Sequence, residues 1–238
     1  MPTQHPHIMV EAVLFDMDGV LIDSISVIEN AWRSAAARYG RRLTEDDMRQ
    51  HVHGQPGRHT AAALFPGCSS QERAAICRSV DALEERAQCP PLPGVIPLID
   101  ELVTARVIVG LVTSSWPERI RHVCATLGLT GAFTTIVDRG CTAHGKPYPD
   151  PYQEAARRLG LAPERTLAFE DSTNGVASAL TAGAHCVAVG TPAANIAVLA
   201  TITAFTDLGV STGDASPMLS GLGRPVALGV RHRSADSR

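Results

Sequence analysis

Short apolar runs separated by helical stretches constrain this chain more than any other feature of its sequence. Ala12–Phe15, Val107–Val112, Thr135–Val137, Leu167–Phe169 and Cys186–Val189 are almost continuously apolar. Runs of this length fit strands covered on both faces, which is the condition of a parallel sheet. Helical patterns lie between them. Pro117 suits the first turn of a helix opening after Ser115-Trp116, and Asp150-Pro151 reads as an N-cap followed by Pro at the first helical position. Strands alternating with helices predict an α/β fold, a doubly wound, Rossmann-like parallel sheet.

One stretch breaks the alternation. From Asp23 to about Cys89 only helical patterns occur. Ile25, Ile28, Trp32, Ala35 and Tyr39 recur at helical spacing and read as a core face. Ser69-Ser70-Gln71-Glu72 reads as a capping box that opens a helix running to about Gln88. The segment closes on the joint Cys89-Pro90-Pro91-Leu92-Pro93-Gly94. The expected organisation is therefore a discontinuous core, residues 1–22 and 90–212, with an all-helical insert over 23–89. After about Asp207 the chain turns to Gly, Ser, Pro and Arg, and residues 213–238 read as a flexible tail.

The composition excludes several classes. The chain has 238 residues, 45% hydrophobic and 19% charged, enough to bury a core. A net charge of −3 argues against nucleic-acid binding. Six scattered Cys without a C-x-x-C pair read as reduced thiols in a cytoplasm. No basic-then-apolar leader opens the sequence. The uncharged stretch Ser172–Thr206 is broken by Gly, Pro and Asn, so no membrane span is expected. Twenty of the 21 basic residues are Arg, and Lys146 is the single exception. A position that keeps Lys against such a bias suggests a need for an ammonium rather than a guanidinium.

In open α/β sheets ligands bind at the carboxyl ends of the strands. Four polar clusters fall there: Asp16-Met17-Asp18-Gly19, Thr113-Ser114-Ser115, His144-Gly145-Lys146-Pro147 and Glu170-Asp171-Ser172. Together they suit a phosphate monoester. Asp16, Asp171 and Glu170 offer hard oxygens to a cation such as Mg2+. Thr113, Ser114 and Lys146 offer donors to phosphoryl oxygens. Asp16 is placed to attack phosphorus, and Asp18 to move protons to the leaving alkoxide and from water. Taken alone, D-x-D-G is as readily an Asp-capped turn, and Thr113-Ser114-Ser115 a helix cap.

The four clusters resemble the four motifs of the haloacid dehalogenase superfamily. FDMDGVLIDS matches the first, LVTSS the second, GKPYPDPY the third and FEDSTNG the fourth, in order. The helical insert is similar to the cap of the β-phosphoglucomutase-like subgroup. The resemblance implies Asp16 as nucleophile and Asp18 as acid/base, with the Asp18 backbone carbonyl on the metal. It also implies Thr113, Ser114 and Lys146 as phosphate binders, and Glu170 and Asp171 as further metal ligands. Asp18 and the Glu170-Asp171 pair separate the chain from dehalogenases proper.

Two departures weigh against a mutase. Such enzymes carry a His ten residues after the acid/base Asp, where this chain has Ile28, and a K-G-x-S-R run in a cap loop, where it has His53-Gly54-Gln55-Pro56-Gly57-Arg58. An H-G-x-x loop instead resembles phosphatases of small sugar and polyol phosphates. His53, Gly54, Gln55 and Arg58 are the candidate substrate contacts from the cap. His51, His53 and His59, lacking Cys or acidic partners in sequence, read as polar surface rather than zinc ligands. The expected activity is Mg2+-dependent hydrolysis of a small phosphorylated sugar, polyol or cyclitol by a cytoplasmic monomer, with a dimer as the alternative. A sugar phosphomutase is the runner-up, and a catalytically silent binding protein the third reading.

Overall fold

The computed structural model describes residues 8–190, 197–212 and 216–230. Its elements, in chain order, begin with strands β1 (Ile8–Val10) and β2 (Ala12–Phe15) and helix α1 (Ile25–Arg38). A single turn α2 (Glu45–Asp47) follows, then a π-helical turn at Met48–Val52, α3 (Gly57–Leu64) and α4 (Ser70–Glu84). The chain continues through α5 (Val95–Thr104), β3 (Ile108–Val112), α6 (Pro117–Thr126), β4 (Thr135–Val137) and α7 (Asp150–Leu159). It ends in β5 (Thr166–Glu170), α8 (Thr173–Ala182), β6 (His185–Val189), β7 (Ala200–Ile202), β8 (Gly209–Ser211), β9 (Met218–Ser220) and β10 (Val226–Leu228).

Six strands form one parallel sheet in the order β4-β3-β2-β5-β6-β7. The side-chain period of two divides each central strand between two cores. Val13, Phe15, Leu167, Phe169, Val187 and Val189 point into the larger one, together with α5 and α6. Leu14, Ala168, Cys186 and Ala188 face α7 and α8. Phe15 stacks on Phe169 with ring centroids 5.1 Å apart, and Phe205 packs against both. With few aromatics in the chain, these three carry much of the bulk of that core.

The flexible tail expected from residue 213 is corrected over 216–230. Strands β8, β9 and β10 join β1 in a second sheet, ordered β1-β10-β9-β8. Leu219, Val226 and Leu228 are fully buried against the larger core. The parallel sheet, α5 and α6 leave one apolar flank of that core to be covered, and these strands cover it. Residues 213–215 and 231–238 lie outside the described residues.

Between β2 and α5 the regular elements are all helices or helical turns. The segment hangs from a neck in which Ile22 bridges Pro91, and the Asp23 N–H donates to Pro90 O at 2.9 Å. Its own core gathers Ala31, Trp32, Ala35, Leu43, Met48, Leu64, Phe65, Ile76 and Val80. The Ser69 capping box forms in both directions, and α4 stops at Glu84, four residues before the expected end. The stripe on α1 is buried only in its middle: Trp32 is covered, while Ile25 and Tyr39 are about half exposed, Tyr39 meeting the Phe65 ring with centroids 5.6 Å apart.

Candidate active site

Asp16 follows the last residue of β2, at the centre of the sheet, and its N–H donates to Phe169 O of β5 at 3.0 Å. That bond places Asp16 beside Glu170, the last residue of β5, and Asp171. One carboxylate oxygen from each of the three lies within 4.8 Å of the others. Lys146 comes from the loop before α7 and is buried. Its ammonium donates to Asp16 Oδ1 at 2.7 Å and to Val112 O at 2.9 Å, and it contacts Glu170 Oε1. The three donors of the ammonium are therefore matched one for one. The Tyr152 hydroxyl of α7 donates to the same Glu170 oxygen.

The charges do not balance. Three carboxyl groups face one ammonium, which contacts two of them, so full ionisation would leave two negative charges in the cluster. Burial, reinforced by Glu170 and Asp171, raises the Asp16 carboxyl well above the ordinary range despite Lys146. Burial and the neighbouring Glu170 push Asp171 up to about 7. Burial alone would pull the Lys146 ammonium down, but Asp16 and Glu170 overcome it and hold the group above the usual lysine value. Glu170 Oε2 is buried without a hydrogen-bond partner among the described residues. Hard oxygens, carboxyl groups that would exceed the ammonium by two charges once ionised, and an unmatched carboxylate oxygen fit one divalent cation. The Asp18 carboxylate is not part of this cluster; its expected contribution was the backbone carbonyl.

Gly19 closes the first motif with φ +77, where a Cβ would stand 1.9 Å from Asp171 Oδ2. Only glycine lets the two motifs approach this closely. The turn aims Asp18 away from the carboxylate cluster. Its Oδ2 accepts from Ser115 Oγ at 3.1 Å, and its Oδ1 accepts from Arg119 Nη2 at 2.5 Å. Asp16 and Asp18 are thus two carboxylates in two environments, one beside Lys146 and the acidic cluster, the other beside a guanidinium. Thr113 is buried after β3, and its Oγ1 accepts from the Ser115 N–H at 3.1 Å. Ser114 beside it is exposed. The Thr113-Ser114-Ser115 turn leads into α6, but the helix is N-capped at Trp116 with no side-chain hydrogen bond, so the expected capping by these residues does not occur.

The cap reaches the core at two places. In the first, Gly54 has φ +64 and lies so close to Ser172 that a Cβ would stand 2.6 Å from the serine Cβ. Asn174 of α8 donates to Gly54 O at 2.7 Å and to Gln55 Oε1 at 3.2 Å. The H-G-Q loop therefore sits over the fourth motif. His53 turns back to Glu29 of α1 at 2.8 Å. Arg58 is exposed at the start of α3 and makes no ion pair among the described residues, so the structure does not bring it to the cluster.

The second contact was not foreseen. Arg119 is almost fully buried and joins Asp18 to Glu84 of α4, whose Oε2 accepts from Nη1 at 2.7 Å. Burial pushes Glu84 up to about 7, against the pull of Arg119. Tyr152, Glu84, Arg119 and Asn174 are the polar groups to which sequence reasoning gave no role. Arg119 carried one signal: it lies on the same face of α6 as the apolar Ile120 and Val123.

Residues 13–189 match the family described as haloacid dehalogenase-like hydrolase. The chain belongs to that family. It is 37% identical to hexitol phosphatase A of Escherichia coli K12 over 76% of this chain and 83% of that one. It is 30% identical to validoxylamine A 7'-phosphate phosphatase of Streptomyces hygroscopicus subsp. limoneus, over 77% and 87%. Among solved structures it is similar to CbbY from Rhodobacter sphaeroides in complex with xylulose-(1,5)bisphosphate. That match has a TM-score of 0.72 and 26% identity, and covers 84% of this chain and 97% of the other. These similarities agree with the sequence reading of a hydrolase with a helical cap.

Proposed function

We propose that this family member is a Mg2+-dependent phosphatase that hydrolyses a small phosphorylated polyol, sugar or cyclitol through an aspartyl-phosphate on Asp16. The observation that carries the reading is the division of labour between Asp16 and Asp18. Asp16 stands beside Lys146 and two further carboxylates, while Asp18 stands apart, held by Ser115 and Arg119. A nucleophile and a proton carrier need such different surroundings.

Asp16, Glu170 and Asp171 would hold the Mg2+, joined by the Asp18 backbone carbonyl. The cation supplies charge neutralisation, allowing an anionic carboxylate and a phosphate dianion to meet. Thr113 and the Ser114 N–H hold phosphoryl oxygens, together with Lys146 once it gives up one of its carboxylate contacts to the substrate. In the first step an Asp16 oxygen forms a bond to phosphorus, the ester P–O bond breaks, and Asp18 gives its proton to the departing alkoxide. In the second step Asp18 takes a proton from water, whose oxygen attacks phosphorus. The acyl–phosphate bond breaks, leaving inorganic phosphate and the Asp16 carboxylate. Such proton transfers are worth about 10²–10⁴-fold. The cap over the site limits water until the alcohol has left.

The two relatives named for hexitol and cyclitol phosphates support that substrate class. Hydrolysis is better supported than mutation of a sugar phosphate, because Ile28 stands where mutases carry His and the cap loop holds His53 turned toward Glu29. No described helix is long and apolar enough to cross a membrane, and the six thiols are unpaired, which fits a reducing compartment. Phosphate release from a panel of about a hundred phosphorylated metabolites tests the reading. Release that needs Mg2+ and disappears in Asp16→Asn supports it; continued turnover by that variant sinks the mechanism.

A further inference from the structure

Three polar points join the C-terminal part of α4 to the core. Asp81, Glu84 and Glu85 lie at i, i+3 and i+4, on one helix face. Arg139 forks onto Asp81 at 2.8 and 3.3 Å, Arg119 donates to Glu84 at 2.7 Å, and Trp116 Nε1 approaches Glu85 at 3.5 Å. Trp116 also lies under both guanidinium groups, with Arg139 Cζ 4.5 Å and Arg119 Cζ 5.8 Å from its ring centroid. Of these contacts only Arg119 continues inward to a reacting group. One terminal nitrogen holds the cap helix and the other holds Asp18.

Several features mark this contact as more than a surface ion pair. Arg119 is 1% exposed. Its Nε is buried with no partner among the described residues, an unfavourable arrangement that stability alone does not explain. Both oxygens of Asp18 are engaged, Oδ1 by Arg119 and Oδ2 by Ser115, so the carboxyl cannot rotate freely. A planar fork can serve two carboxylates in two directions at once, which a single ammonium does poorly. Helix α6 is itself anchored: Pro117 opens it, and Ile120 and Val123 bury its inner face.

We propose that Arg119 is a positioning residue that holds the Asp18 carboxyl in place for proton transfer and, through Glu84, makes that placement depend on the docked cap. The inference rests on the reading of Asp18 as the acid/base group. Docking of α4 supplies Glu84 to one arm of the fork and so fixes the other arm on Asp18. With α4 withdrawn, the fork loses its second anchor, and proton delivery is no longer aligned before the alcohol site is covered.

The test compares two esters whose demand for an acid differs. An alkyl phosphate such as a hexitol phosphate needs a proton on its leaving oxygen, whereas a nitrophenyl phosphate does not. For Arg119→Ala, single-turnover alcohol release from the alkyl ester should fall about 10–10²-fold, part of what an acid–base group supplies. The nitrophenolate burst should change less than about threefold, because that first step needs no acid. KM for the alkyl ester should stay within about threefold. Asp18→Asn should lose at least as much on the alkyl ester, and the double variant should be no worse than Asp18→Asn alone. Equal losses on the two esters, additive losses in the double variant, or a change confined to KM would overturn the proposal. If Arg119→Ala does not fold, Glu84→Ala carries the test, since it removes the cap arm and leaves the Arg119–Asp18 pair. It should show the same ester dependence with a smaller loss, and full activity on the alkyl ester would overturn the role of the cap. Normal turnover of the alkyl ester by Asp18→Asn would instead remove the assignment of Asp18, an outcome separate from any result at Arg119.

Discussion

Lys146→Arg isolates shape from charge at the centre of the site. The wild-type ammonium is buried and uses its three donors on Asp16 Oδ1 at 2.7 Å, Val112 O at 2.9 Å and Glu170 Oε1. A guanidinium adds about two heavy atoms and directs its donors within one plane, so it cannot reproduce this three-way pattern in the same space. Overfilling a packed site costs about 1–3 kcal/mol. Losing or bending one charged hydrogen bond costs about 1.5–3 kcal/mol. If that second cost falls on the placement of Asp16, the rate drops about tenfold to 150-fold, and a misplacement of about 1 Å gives a similar factor near 10². The assay is steady-state phosphate release from a hexitol phosphate at saturating Mg2+, with far-ultraviolet dichroism to confirm folding. The expected result is a fall in kcat of about 10²-fold with a smaller change in KM. A folded Lys146→Arg protein with wild-type kcat would refute the reasoning and make the lone lysine an accident of composition.

Other consequences follow from the packing. Leu219→Ala removes a fully buried side chain of the second sheet and should destabilise the protein by about 2–5 kcal/mol, read as a lower urea midpoint; an unchanged midpoint would mean that residues 216–230 do not cover the core. Gly54→Ala would place a Cβ 2.6 Å from Ser172 Cβ at a positive φ, so cap docking should weaken and kcat/KM fall about tenfold or more, while the melting temperature changes little. Glu84 sits at about 7 when folded against an ordinary 4.5, so the folded state holds its proton through that range. Its contribution to stability is present below about pH 4.5 and is lost as pH rises toward 7, with a slope of at most about 1.4 kcal/mol per pH unit. Denaturation midpoints of Glu84→Gln should therefore vary less with pH over this window than those of the wild type, and identical profiles would contradict the shift.

Much of this was legible in the sequence, for identifiable reasons. Strands β2 to β6 announce themselves because a strand covered on both faces must be apolar at every position. Strands β1 and β7 to β10 do not: each is as short as β4, but none of them lies between two helices in chain order, and β8 to β10 are broken up by Gly, Ser and Pro. Asp16, Lys146, Glu170 and Asp171 come together as the motif order implied, since each lies at or just past the end of a strand or in a loop at the same sheet edge. The cap contacts were harder to foresee. Which cap residues meet the core depends on how two separate packing units dock, and no periodicity encodes that. Gly54 and Gln55 reach Asn174, yet Arg58 remains at the surface. Arg119 escaped notice because a charged residue on an apolar helix face is ordinarily read as the edge of the stripe, and its partners lie 35 and 101 residues away in sequence.

The covalent intermediate is the central claim, and trapping it tests that claim most directly. An acyl phosphate on an aspartate is reduced by borohydride to homoserine, which peptide mass spectrometry can locate. Quenching the enzyme during turnover of a hexitol phosphate should convert Asp16 to homoserine, only when substrate and Mg2+ are both present. Conversion at another carboxylate, or none at Asp16 while phosphate is being released, would contradict the account.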